Sequence, residues 1–142
     1  MILDTSLVLS DAQGITASAA STNVIDLGPT GTPFGANAPL GRDIGRGRDI
    51  DLAVSVRQTF ATLTSLTVAV QTSPDNATWT TIASGAAVPL ASLVAGYQFK
   101  VPGEIPEGTN ARYLRLYYTV AGSAATAGQI SAAVVASRQT NL

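Results

Sequence analysis

Residues 51–58 read "DLAVSVRQ" and residues 65–73 read "SLTVAVQTS". In the first stretch Leu52, Val54 and Val56 alternate with Asp51, Ala53, Ser55 and Arg57; in the second Leu66, Val68 and Val70 alternate with Thr67, Ala69 and Gln71. Strict period-two alternation over that length is the mark of a strand with one buried face, because successive side chains point to opposite sides of a sheet. Two stretches near the C-terminus repeat the pattern. "RYLRLYYTV" sets Leu114, Leu116, Tyr118 and Val120 against Tyr113, Arg115, Tyr117 and Thr119, and "QISAAVVAS" sets Ile130, Ala132 and Val134 against Ser131, Ala133 and Val135.

Outward from these four, shorter strands are expected near Thr5–Leu9, Gly14–Ala20, Thr22–Leu27, Trp79–Ala83 and Tyr97–Val101, eight or nine in all. "QTSPDNATWTT" (71–81) is a hairpin turn: Pro74 presets φ at the second turn position and Asn76 tolerates a positive φ. "KVPGEIPEGTNA" (100–111) is a loop of about ten residues. The Gly-, Pro- and Ala-rich segment 28–48 is a long loop, and structureless loops above about 15 residues tend to carry function. The Ala-rich stretch 121–137 could form a helix, but Gly122 and Gly128 would each cost it about 1 kcal/mol. The expectation is an all-β, two-sheet β-sandwich, jelly-roll-like, with long loop 28–48. It fits one domain over residues 1–142, with 1–13 as an N-terminal arm and first strand and 137–142 as a tail.

Composition removes several functions. The 142 residues contain neither Cys nor His, so no disulfide, thiolate metal site, thiol nucleophile or imidazole base is available. A net charge of -1 without a basic stripe argues against nucleic acid as partner. No apolar run is long enough to span a bilayer, and "MILDTSLVLSDAQ" lacks the positive n-region of a signal peptide, so neither membrane nor export is expected. Seventeen residues are charged, about half the usual share, and seven of the eight basic ones are Arg, the cation favoured at protein interfaces. Several strand faces carry Ala, Ser and Thr where a free sheet would carry Lys and Glu. Such a surface favours association.

Charge concentrates in "GRDIGRGRDIDL" (41–52), which holds Arg42, Asp43, Arg46, Arg48, Asp49 and Asp51. A phosphate loop fails on context, since the Gly spacing is wrong and a strand, not a helix, follows. A hard-cation site built on the three Asp would be opposed by the three Arg. Arg–Asp pairing within the loop, and docking against complementary charge on a partner, remain as compatible readings. Glu104 and Glu107 are a close carboxylate pair, read as a solvated loop rather than as hydrolytic machinery. Trp79, in a Ser-x-Asp-x-x-x-Trp hairpin, could stack on a sugar ring or pack across its hairpin. The sequon Asn76-Ala77-Thr78 carries no weight without export.

Three stretches, "LVLSDAQGITASAASTNVIDLG", "PLGRDIGRGRDIDLAVSV" and "ARYLRLYYTVAGSAATAGQISAAVV", resemble in the same order the capsid cement (decoration) proteins of short-tailed tailed bacteriophages. The resemblance covers over half the chain. It implies a jelly-roll-like sandwich on the capsid exterior of a virion, clamping neighbouring subunits of an HK97-like major capsid protein, after synthesis in the host cytoplasm. It implies no catalysis, no cofactor and no metal. A homo-oligomer is expected, a dimer before a trimer. The interface candidates are Arg42, Asp43, Arg46, Arg48, Asp49, Phe34, Arg115 and Tyr117. The alternative is a carbohydrate-binding β-sandwich module of a phage fibre or baseplate, with Trp79 stacking on the sugar.

Overall fold

The computed structural model describes residues 3–40, 43–45, 47 and 49–138. Its strands are β1 (Val8–Gly14), β2 (Ala19–Ala20), β3 (Ile25–Asp26), β4 (Ile50–Ser73), β5 (Thr80–Ser84), β6 (Val88–Pro89), β7 (Glu104–Ile105) and β8 (Tyr113–Val134), all paired antiparallel. The only helical pieces among the described residues are two single 3-10 turns, Thr5–Leu7 and Leu90–Ser92. The fold is an all-β sandwich.

The four alternating stretches are the halves of two long strands. β4 and β8 run antiparallel from the Leu52–Val134 rung to the Ser73–Tyr113 rung, and β1, β2 and β3 line the far side of β8 while β5, β6 and β7 line the far side of β4. The ribbon cannot be straight. From Tyr118 to Ala132 an extended strand would span about 46 Å at ~3.3 Å per residue. Yet the Tyr118 hydroxyl lies 2.7 Å from Oγ of Ser10, whose partner on β8 is Ala132. The sheet therefore folds over, laying the 50–58/129–134 half against the 65–73/113–121 half. One core fills the space between them, with Leu52, Val54, Val56 and Ile130 from one half and Leu66, Val68, Val70, Leu114, Leu116 and Tyr118 from the other.

The bend sits where alternation fails. The β4–β8 register shifts repeatedly between Val56 and Ser65, and between the Ala61–Ala127 and Leu63–Gly122 rungs β8 carries residues 123–126 against Thr62 alone. Thr62 (φ 73°), Gly122 (φ 82°) and Gly128 (φ 139°) take the left-handed backbone that such bulges require. The Thr62 hydroxyl donates to the Ala124 carbonyl (2.7 Å) and accepts from the Thr126 N–H (3.1 Å), replacing lost ladder bonds. Phe60 is buried against Gly128, where a side chain would collide with its ring.

Several expected short strands contract. Thr5–Leu9 begins as a 3-10 turn because Asp4 accepts the Ser6 N–H (2.8 Å), and pairing starts only at Val8. The strands expected at Gly14–Ala20 and Thr22–Leu27 shrink to two residues each, Ala19–Ala20 and Ile25–Asp26. Tyr97–Val101 forms no named strand: Gln98 makes one bridge to Ser55, flanked by the bonds Val56 N–H to Tyr97 C=O and Phe99 N–H to Val54 C=O (2.9 Å each). On the last stretch the alternation holds to Ala132 and then breaks, with Ala133 and Val135 both buried and Val134 only partly. The described residues of loop 28–48 contain no helix or strand.

Candidate docking surface

Arg42, Arg46 and Arg48 lie outside the described residues. Around them the "GRDIGRGRD" loop is fastened to the 106–109 loop. Ile44 donates its N–H to the Thr109 carbonyl (2.9 Å), Gly108 donates to the Gly45 carbonyl (2.7 Å), and Ile44 packs its side chain on the core. The carboxylates serve backbone donors: Asp43 accepts from Gly45 N–H (3.1 Å), Asp49 from Glu107 N–H (2.8 Å), and Glu107 from Gly47 N–H. Glu107 is thus a loop-to-loop fastener, a role its neighbours in sequence do not signal. Among the described residues no group of three acidic side chains is placed to hold a metal ion.

Residues 29–40 are exposed throughout. The segment is nonetheless closed on itself, since Leu40 N–H bonds the Gly31 carbonyl (2.8 Å) and Ala36 N–H bonds the Pro33 carbonyl (3.0 Å). At its tip Phe34 is fully exposed, and Leu40 is 56% exposed. The root is held by Asp26, which composition did not single out. Its Oδ1 accepts from Arg112 Nε (2.7 Å) and from Gly28 N–H (2.7 Å), and its Oδ2 accepts from Arg112 Nη2 (2.8 Å). These donors hold the Asp26 carboxyl down to about 2, the Arg112 guanidinium being the larger cause.

Arg115 and Tyr117 stand together on the outer face of the second half-sheet. The Arg115 guanidinium lies 3.9 Å from the centre of the Trp79 ring and 5.8 Å from that of Tyr117, while its Nε donates to Gln71 Oε1 (2.9 Å). Partial burial draws the Arg115 pKa below its ordinary value. Register explains the meeting: Arg115 faces Gln71 across the β4–β8 ladder, and the hairpin beyond Gln71 delivers Trp79. That hairpin is set by Asp75, which accepts from the Ala77 and Thr78 N–H groups (2.9 and 2.8 Å) and from the Ser73 hydroxyl (2.9 Å), with Asn76 at φ 59°. The Ser-x-Asp-x-x-x-Trp spacing builds the turn, and one face of the indole is covered by the Arg115 guanidinium.

The candidates fall in separate regions. Asp43 and Asp49 belong to the fastened loop, Phe34 to the projecting arm, and Arg115 and Tyr117 to the sheet face. Among the described residues no helix is long and apolar enough to cross a membrane. No match was found among curated proteins. The Bbp16 family model matches residues 9–134, from β1 to the end of β8. With that span inside the match, the chain belongs to the Bbp16 family, which is phage-associated.

Proposed function

We propose that the protein is a structural virion component that decorates the outside of a phage capsid and cements it by bridging neighbouring subunits of an HK97-like major capsid protein. The observation that carries this reading is the arm at residues 29–40, which displays Phe34 fully in solvent on a loop closed at its neck and clamped at its root. Leaving an aromatic ring in water forgoes about 1.5–3 kcal/mol of burial free energy. A partner pocket would recover it. The phage-associated family and the sparsely charged Ala/Ser/Thr faces support the same reading.

Cementing requires no reaction. Each copy contributes modest affinity, and many copies on a closed lattice convert it into resistance to internal pressure. The arm supplies reach and an apolar anchor, the carboxylates of Asp43 and Asp49 supply polar groups, and self-association, a dimer before a trimer, joins adjacent sites. Adding the purified protein to shells that lack it tests the reading. Cosedimentation in saturable amounts, with a higher rupture temperature for decorated shells, is expected. Protein left in the supernatant with rupture unchanged would refute it.

A further inference from the structure

We propose that Arg115 is the seat for a carboxylate side chain of the shell protein, with Trp79 and Tyr117 as the walls that orient its guanidinium; this rests on the docking role above and names the chemistry it recognises. The outer face of the second half-sheet can be read row by row from the ladder. Asp26, Tyr113 and Ser73 share a row, then Arg115, Gln71 and Thr81, then Ala20, Tyr117, Ala69 and Ser84, then Thr119 and Thr67. Two of these side chains carry full charge, and Asp26 is committed to Arg112 in the one ion pair found among the described residues. Arg115 is thus the one cation in these rows, and its only charged neighbour there is already paired elsewhere.

Its surroundings satisfy only part of it. Nε is used by Gln71, a neutral acceptor, and one face of the plane is occupied by the indole. A guanidinium has five donors, and those at its end pair with a carboxylate through two parallel bonds. Stacking on Trp79 fixes the plane in advance, so little freedom is lost when the carboxylate arrives. Trp, Tyr and Arg in contact are also the residues in which binding energy concentrates at protein interfaces. Charge complementarity therefore selects an acidic partner surface.

Hydroxyl-radical footprinting of the free and shell-bound protein tests this, because Trp79 and Tyr117 are reactive side chains and Trp79 is the sole Trp. Protection of both by severalfold on shells is expected. Arg115→Gln should weaken shell binding at least tenfold with its β spectrum retained, and Arg115→Lys should fall between, keeping the charge but losing the flat fork. Equal labelling of Trp79 and Tyr117 in free and bound protein overturns the inference, even if Arg115→Gln fails to fold. So does wild-type binding by a folded Arg115→Gln. A shift in self-association on Arg115→Gln without shells would assign the face to a second copy, and quenching of Trp79 fluorescence by saccharides would assign it to a sugar; either result overturns the inference. Failure of the wild-type protein to bind shells at all would instead sink the docking role itself.

Discussion

Gly128→Ala tests the bend that turns a long ribbon into a sandwich. Gly128 is buried at φ 139°, and a Cβ added there would collide with the edge of the Phe60 ring, itself a core side chain. Two costs combine. A side chain at positive φ costs about 1–2 kcal/mol, and an extra methyl in a packed core costs about 1–3 kcal/mol through shifted neighbours. The expected loss is about 2–5 kcal/mol, which lowers the melting temperature by roughly 5–20 °C for a chain of this size. Urea unfolding of four proteins, wild type, Gly128→Ala, Phe60→Ala and the double variant, separates the two costs. Phe60→Ala alone should cost about 3–5 kcal/mol. In that background the steric part vanishes, and Gly128→Ala should cost only the backbone part, about 1–2 kcal/mol. A single Gly128→Ala within about 0.5 kcal/mol of wild type, or strict additivity in the cycle, would refute the packing of Phe60 on Gly128.

Tyr118→Phe removes one of the two hydrogen-bond partners of the buried Ser10 hydroxyl, which keeps its bond to Gln13 Oε1 (2.7 Å), and denaturant unfolding should show a loss of about 1 kcal/mol from this tie between the two halves of the sandwich. Asp26 and Asp75 titrate near 2 in the folded chain against 3.8 for a free Asp, so their contribution is complete above about pH 4 and is lost as pH falls toward 2. Urea midpoints should decline across that window, and Asp26→Asn and Asp75→Asn should each flatten the decline. Phe34→Ala should leave stability within about 0.5 kcal/mol, because the ring touches no core, yet weaken shell binding about tenfold or more in a cosedimentation assay.

The strand faces were legible because burial on one side imposes period two, and Leu52, Val54, Val56, Leu66, Val68, Val70, Leu114, Leu116 and Tyr118 are all buried as that period requires. The continuity of β4 and β8 was hidden by the same physics. Residues 59–64 and 121–128 carry bulges and positive φ, so their side chains follow neither strand nor helix period, and Gly122 and Gly128, legible as helix breakers, are bulge residues inside a strand. The short strands β2, β3, β6 and β7 have two residues each, too few for any period. At the candidate surface, residue types were visible but partners were not. Arg115 meets Trp79 only through the β4–β8 register and the hairpin, and Asp26 meets Arg112 across a wide gap in sequence. The charge cluster stood out, but the use of Asp43, Asp49 and Glu107 on backbone N–H groups depends on loop geometry that composition does not encode.

The most direct test of the docking role is a cryo-electron-microscopy reconstruction of the purified phage particle carrying this chain. The account predicts density for the β-sandwich on the outer surface of the shell, straddling a boundary between capsid subunits, with the Phe34 arm inserted into the shell. A shell with a bare exterior, or this chain found only in the tail, would contradict it.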